Sequence, residues 1–459
     1  MKIEKILERQ KEFYNTSIIN EVDFRIEKLK LLKTNIIKYE KKIYEALEKD
    51  LGKSQIESYM CEVGMVLEDL TYIIKNLKKW SKKKYVHTPI AQFPSVCYRK
   101  PIGYGTVLIL SPWNYPFLLS IQPLAGAIAA GNCVVLKPSE FSPNTSNIIK
   151  TLLNEVFQEE YVCTILGNKN IAEELLKQKF DYIFYTGSSR VGKIVMEEAA
   201  KKLIPVTLEL GGKSPCIVDN NSNYKLAAKR IVFGKLLNCG QTCVAPDYIF
   251  VNKQIKKEFI KYLIDYINYF VSNNSLGNKE YPKIINEKQF NRLIDILEAD
   301  KNNIIYGGKY NKEKLKIEPT IIDVDNISNS KCMNEEIFGP ILPVIEYENI
   351  DTVIKYIKYN PKPLALYLFT KSKKTENIIL NNIQFGGGCI NDTIIHLANS
   401  KLGFGGIGNS GIGEYHGKFS FDTFTHYISI VKKSNLIDLP MRYHPYTKLN
   451  EKIIRLFMK

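Results

Sequence analysis

The sequence predicts an α/β fold built on parallel sheets, and three observations carry that prediction. From residue 104 buried-strand runs alternate with helical segments, a second block of the same kind spans 225–390, and a helix-patterned stretch precedes both. In the first stretch, residues 1–80 alternate charged and apolar positions at helical spacing, with Val66, Leu70, Ile73, Ile74 and Leu77 on one helix face. Between 82 and 103, Pro89, Pro94 and Pro101 break helices and leave room for extended segments. TVLILS (106–111) reads as a buried strand, followed by PWNYPF and the small-residue helix LAGAIAAG (124–131). NCVVLKPSE (132–140) is another strand, ending in a Pro-bounded turn. A helix around 145–158 leads to YVCTIL, and DYIFYTG (181–187) feeds the helix VGKIVMEEAAKK. Such alternation implies a parallel sheet with right-handed crossovers, which binds ligands at the carboxyl ends of its strands.

PVTLELGGKSPCIVD holds two strand-like runs split by Gly-Gly-Lys, which suggests a domain junction near 209. YIFVN and ALYLFT are strands of the second block. GFGGIGNSGIG (403–413) is too glycine-rich for an element interior and reads as a shaped loop, and SFDTFTHYISIVKK (420–433) alternates like an edge strand.

Composition narrows the function classes. The 459 residues are 45% hydrophobic and 24% charged, the balance of a soluble globular protein with two or three domains and no need of disulfides. The formal net charge is +16, yet only eight of the 64 basic residues are arginine. Nucleic-acid readers lean on arginine forks, so lysines scattered among Asn and Ile argue against a nucleic-acid partner. Nine cysteines include no C-x-x-C pair and the five histidines are dispersed, so no metal site is expected. Reduced thiols, a charged helical start without a secretory core, and the lack of an 18-residue apolar run point to a cytoplasmic location.

Four motifs could carry chemistry. NCGQTCVAP (238–246) sets Cys243 among Gly, Gln and small residues on a loop or helix start, where a helix N-terminus would lower its thiol pKa; the alternative is a small buried hydrophobe. ELGGKSP (209–215) places Glu209 beside two glycines, either as a base that activates water or as an ordinary strand-end Glu. SPWNYPF (111–117) offers Asn114 as an oxyanion donor or a turn residue. TGSSRVGK (186–193) resembles a P-loop, but Ile194 stands where a magnesium-binding Ser or Thr is needed, so a dinucleotide pyrophosphate fits better than a nucleoside triphosphate. The G-x-G-x-x-G strings at 403–408 and 406–411 follow no strong strand and are set aside.

Taken in order, WNYPF, KPSE, the strand–TGS–helix turn, LELGGKSP, GQTC and EEIFGP (335–340) resemble the signature series of the aldehyde dehydrogenase superfamily over nearly the whole chain. GQTCVAPDY, KPLALYLF and FGGIGNSGIGEYHGKFSFDTFTH are similar to its class 3 branch. The resemblance implies a modified Rossmann cofactor domain (1–81 and 104–208), a second α/β catalytic domain (209–420), a small β bridging and oligomerisation element (82–103 and 421–445) and a C-terminal tail (446–459). It implies NAD or NADP as cofactor, with Lys137 and Glu140 near the adenosine ribose, Gly187, Ser188 and Gly192 in the pyrophosphate turn, and Glu336 and Phe338 at the nicotinamide ribose and ring. It further implies Cys243 as the nucleophile, Asn114 and the Cys243 N–H as oxyanion donors, and Glu209 as the base that completes hydrolysis, a task class 3 relatives divide less clearly with the second Glu. The substrate is expected to be a medium-chain aliphatic or aromatic aldehyde, and the assembly a homodimer.

Cys239 stands where a small residue is usual, so it either packs there or forms an inactivating disulfide with Cys243. His396, in NDTIIHLA, is expected to be structural. The tail apolar residues Ile453, Ile454, Leu456, Phe457 and Met458 are expected to pack or fray rather than lie on a membrane surface. Transfer of the acyl group to coenzyme A, a catalytically dead relative and a P-loop NTPase are the competing readings; intact Glu209, the full residue set and Ile194 argue against each in turn.

Overall fold

The structure is a computed structural model that describes residues 3–272 and 274–458; the expected end segments therefore lose Met1, Lys2 and Lys459, which lie outside the described residues. The chain opens with helices α1 (Ile3–Asn15), α2 (Val22–Leu51), α3 (Gln55–Ser58) and α4 (Gly64–Trp80), with a π-helical turn at Tyr59–Val63. In α2 the apolar positions Leu29, Leu32, Ile36, Ile43 and Leu47 recur at helical spacing and are buried. Gly52 ends that helix in the left-handed region, its N–H bonded to the Glu48 carbonyl.

Strands β1 (Lys84–Val86) and β2 (Ser95–Gly103) precede the first large sheet. That sheet holds β3 (Thr106–Leu110), β4 (Cys133–Lys137), β5 (Val162–Thr164), β6 (Tyr182–Gly187) and β7 (Val206–Leu210), with crossovers through α5 (Leu118–Ala130), α6 (Pro143–Val156), α7 (Lys169–Leu176) and α8 (Ser189–Ala200). The second sheet holds β8 (Pro215–Val218), β9 (Tyr248–Asn252), β10 (Ile304–Tyr306), β13 (Thr320–Val324), β14 (Ile341–Tyr347), β15 (Ala365–Phe369) and β16 (Gly387–Ile390). A two-residue hairpin, β11 (Tyr310–Asn311) and β12 (Lys316–Ile317), stands beside it. Its helices are α9 (Tyr224–Leu236), α10 (Lys256–Val271), α11 (Glu287–Ala299), α12 (Ile350–Tyr359) and α13 (Lys373–Asn382). The chain closes with β17 (Gly411–Ile412), α14 (Gly417–Thr423), β18 (Thr425–Lys433) and α15 (Lys448–Phe457).

The first sheet runs β17-β7-β6-β3-β4-β5 and the second β10-β13-β14-β9-β8-β15-β16; each is parallel except at one edge strand. β1, β2 and β18 form a separate antiparallel sheet. Alternate strand residues explain the continuous apolar runs. Val107, Ile109, Val134 and Leu136 face the core under α2, α4, α5 and α6, while Leu108, Leu110, Val135 and Ile183 face the core under α7 and α8.

Two expectations change. Only the second half of 420–433 is a strand. Residues 417–423 form α14, because Phe421 packs on Trp80 with ring centroids 5.8 Å apart and Ser420 Oγ accepts the His416 N–H. Packing overrode the alternation, and β18 then lies at the edge of its sheet as the pattern suggests. The glycine-rich loop also contains β17, which pairs with β7 across Gly411 and Glu209. Among the described residues no helix is long and apolar enough to cross a membrane.

Candidate active site

The carboxyl ends of the first sheet and the amino ends of the second bound one cleft of about 460 Å³. From the first come Trp113 and Asn114 after β3, Thr186, Gly187 and Ser188 at the end of β6, and Glu209 and Gly211 at the end of β7. From the second come Cys243 before β9, Glu336 and Phe338 before β14, and Leu364 before β15. Cys243, Asn114, Glu209, Glu336 and Phe338 are thus brought together from residues more than 200 positions apart.

The Cys243 loop is held in an unusual path. Asn238, Cys239 and Gly240 are successive left-handed residues, with φ of 51°, 55° and 74°. Left-handed non-glycine residues cost about 1–3 kcal/mol each and persist only where their surroundings impose them. Here the Asn238 N–H donates to Glu57 at 2.7 Å, and its side-chain amide donates to the carbonyls of Asn114 and Gln241 at 2.7 and 3.1 Å. Gln241 donates to the Lys283 carbonyl and accepts from the Ile285 N–H, each at 3.0 Å. A Cβ on Gly240 would lie 2.4 Å from the Gly339 carbonyl, so only glycine fits there. Asn114 Nδ2 donates to the Gln241 carbonyl at 3.0 Å, and the Tyr115 and Thr242 hydroxyls share a hydrogen bond of 2.6 Å. Both contacts tie the β3 loop to the thiol loop.

Cys243 lies in a turn, not at a helix start, and its thiol is not lowered. Burial, reinforced by the Glu336 and Glu209 carboxyls, pushes it up to about 12, against the N–H groups of Cys243 and Val244. The resting group is therefore the thiol, and it needs a base. Glu209 is buried, with neither carboxyl oxygen hydrogen-bonded; burial and Glu414 raise it well above the ordinary carboxyl range. Glu336 is raised to about 8 by burial and Asp247, against a backbone hydrogen bond from Gly212. A Cβ on Gly211 would come within 2.1 Å of the Glu336 carboxylate, so the Gly-Gly turn is what admits that side chain. Arg292 donates to the Glu336 carbonyl at 3.3 Å and to the Glu335 carboxylate at 3.2 Å, which clamps the segment. Phe338, itself left-handed, meets Trp113 edge-on with ring centroids 5.4 Å apart.

The cofactor half has the form of a dinucleotide turn. Ser188 caps α8, its Oγ accepting the Val191 N–H, and the free N–H groups of the first turn favour an anion. A Cβ on Gly187 would lie 2.3 Å from the Tyr185 hydroxyl. Gly192 is buried, and a Cβ there would meet Leu210 at 2.6 Å; it lets α8 pack closely on β7 and does not line the cleft. Lys137 and Glu140 lie two strands further out, at the end of β4, outside the residues that line the cleft, and pair with each other at 3.0 Å. A glycine turn and a capped helix start lining the cleft fit a dinucleotide.

Cys239 is turned onto Tyr281, donating to its hydroxyl at 3.2 Å, and all nine cysteines are free thiols. His396 is neutral, lowered to about 4 by burial, and sits 3.6 Å from the Cys389 sulfur. Arg292, Phe404 and Tyr415 were not singled out as site residues. Phe404 and Tyr415 bracket the glycine-rich loop, a signal that was present; Arg292 lies in α11 with no local pattern to mark it.

A dinucleotide turn facing a thiol loop across one cleft marks a nicotinamide-linked oxidoreductase that works through a cysteine. The profile of the Aldehyde dehydrogenase family matches residues 5–430. The chain is 47% identical over 457 residues to the 4,4'-diaponeurosporen-aldehyde dehydrogenase of Staphylococcus aureus, covering 100% of this chain and 99% of that one. It is 41% identical over 448 residues to the dimeric NADP-preferring aldehyde dehydrogenase of Canis lupus familiaris, covering 97% and 98%. A solved structure of Staphylococcus aureus AldH in a substrate-bound state superposes with a TM-score of 0.97 at 46% identity, covering 100% and 99%. The chain belongs to the aldehyde dehydrogenase family, as an enzyme that oxidises aldehydes with NAD or NADP. The P-loop reading of TGSSRVGK falls with that result.

Proposed function

We propose that Cys243 is the nucleophile of a hydrolytic aldehyde dehydrogenase and that the acid leaves free. The supporting observation is the convergence of one thiol, one side-chain amide and two raised carboxyls on one cleft. Cys243 gives its proton to one of the two carboxylates beside it, Glu336 or Glu209, which passes it to solvent, and the thiolate attacks the aldehyde carbon. The Asn114 amide, which has a second N–H beyond the one given to Gln241, and the Cys243 N–H hold the oxyanion. NAD or NADP, when bound, supplies the two-electron acceptor for the hydride the adduct loses. Glu209 then takes a proton from the water that hydrolyses the thioester. Its two unpaired oxygens offer that water a hydrogen-bond acceptor, and a raised carboxyl is a better base near neutrality.

Lys137 and Glu140 bind the adenosine ribose, Gly187 and Ser188 the pyrophosphate, and Glu336 and Phe338 the nicotinamide ribose and ring; Gly192 supports the turn from behind. The chain divides into a cofactor domain (1–81 and 104–208), a catalytic domain (209–420), a bridging element (82–103 and 421–445) and a tail (446–459). Trp113, Leu119, Leu364, Phe404 and Tyr415 give the cleft apolar walls suited to a medium-chain aliphatic or aromatic aldehyde. Tyr85, Val86, Val96 and Val431 are exposed on the small sheet, which supports a homodimer formed there. The enzyme works in the cytoplasm without nucleic acid. The tail helix turns Ile454 and Phe457 toward Ile90 and Phe93, which supports packing of the tail on the fold.

The deciding experiment is reduction of NAD and NADP by an aldehyde panel that includes 4,4'-diaponeurosporen-aldehyde. Cys243→Ser is expected to abolish reduced-cofactor formation while cofactor binding is kept, and Glu209→Gln to give one fast turnover followed by slow thioester hydrolysis. An active Cys243→Ser chain would sink the mechanism.

A further inference from the structure

Beneath the cleft lies a buried charged cluster that none of these steps uses. Lys53, in the turn after α2, has its ammonium 2.5 Å from Glu62, and both side chains are fully buried. The same ammonium donates to the Asn114 carbonyl at 3.0 Å and sits 4.0 Å from the centre of the Tyr115 ring. Glu62, placed by the π-helical turn, accepts the N–H groups of Phe117 and Leu118 at 2.8 and 3.2 Å and so holds the start of α5. Burial pushes Glu57 and Glu62 up, and Lys53 is the strongest influence pulling each back toward its charged form.

We infer that Lys53 is a positioning residue for the Asn114 amide, an inference that rests on the oxyanion role proposed for Asn114. Lys53 and the Asn238 amide both donate to the Asn114 carbonyl, at 3.0 and 2.7 Å. Two donors on one carbonyl fix the orientation of that peptide and with it the direction in which the Asn114 side chain leaves the backbone. Glu62 fixes the loop from the other end, through Phe117 and Leu118. The amide is thereby presented to the thiol loop already oriented, which is what an oxyanion donor must be. An apolar side chain of the same length would fill the space of Lys53 but leave the carbonyl held by the Asn238 amide alone. Misplacement of a reacting group by about 1 Å can cost up to about 10²-fold in rate.

A double-mutant cycle in the full chain tests this, with the rate of the first reduced-cofactor burst measured per titrated Cys243 and NAD affinity as the check on folding. Lys53→Met is expected to slow the burst about ten-fold or more at unchanged NAD affinity. Asn114→Ala is expected to slow it about 10²–10³-fold. Combining the two is expected to cost no more than Asn114→Ala alone. Equal fold losses from Lys53→Met in both backgrounds, or no loss in the wild type, would overturn the inference. If Lys53→Met does not fold, Lys53→Met with Glu62→Gln, which removes the charge stranded on Glu62, runs the same cycle. An Asn114→Ala chain with a normal burst removes the oxyanion assignment and this inference together; an additive Lys53 effect beside a crippled Asn114→Ala removes this inference alone.

Discussion

Lys53–Glu62 and Lys137–Glu140 are the same chemical pair in two regions of one molecule. Below the thiol loop both side chains are fully buried, and backbone groups satisfy the charges the pair leaves over. At the end of β4 the lysine is 6% and the glutamate 30% exposed, with water at hand. The difference teaches what each pair is for. A buried pair must be complete, since removing one partner strands a charge. A pair with one partner partly exposed is screened on that side and holds together more weakly.

The largest expected effect comes from breaking the buried pair. Lys53→Met should lower unfolding stability by about 3–5 kcal/mol, and adding Glu62→Gln should recover much of that loss, both read from urea midpoints. A loss below about 1 kcal/mol would make the two pairs alike.

Glu336 sharpens the comparison, because burial raises it without an ion-pair contact of its own among the described residues. Its value of about 8 means that the charged form appears as pH rises through that point. The burst or steady-state rate should climb there in the wild type, and Glu336→Gln should lack that limb. The folded value lies above the ordinary 4.5, so the fold loses stability as pH rises from there to about 8, and the substitution should flatten that slope.

The smallest effect belongs to the open pair. Glu140→Gln should change stability by less than about 1 kcal/mol. On the ribose contact proposed for Glu140, it should nevertheless move the NADP-to-NAD preference toward NADP by about ten-fold, since a carboxylate there would accept ribose hydroxyls and repel a 2′-phosphate. Initial rates with each cofactor decide it.

Much of the fold was legible because buried strands and amphipathic helices write their period into neighbouring residues. TVLIL, CVVLK and DYIFYTG could be read so, and Ile194 argued against the P-loop alternative. The strand reading failed over 420–423 because Phe421 packs on Trp80, far away in sequence. The rule that ligands sit at the carboxyl ends of parallel strands located Asn114, Glu209, Gly187 and Ser188, but not Cys243, Glu336 or Phe338, which precede their strands. The NCGQTCVAP motif offered Cys243, and only the family resemblance named Glu336 and Phe338. Lys53, Glu57 and Glu62 fall among the charged positions of the helix-patterned stretch 1–80, and Cys239 could either pack or bond Cys243. Tyr281 and the Asn238 turn, which give these residues their partners, meet them only in three dimensions.

The pairing of β18 with β2 has a consequence for synthesis. Residues 95–103 leave the ribosome more than 300 residues before 425–433, on the order of half a minute at typical elongation rates. Throughout that interval one side of β2 has no strand to bond, and β7 lacks the β17 residues that later cover Glu209. A chain halted before residue 411 would carry the thiol and the amide yet leave that carboxyl at an open edge, so the last tenth of the polypeptide closes the sheet beside a carboxyl made about 200 residues earlier.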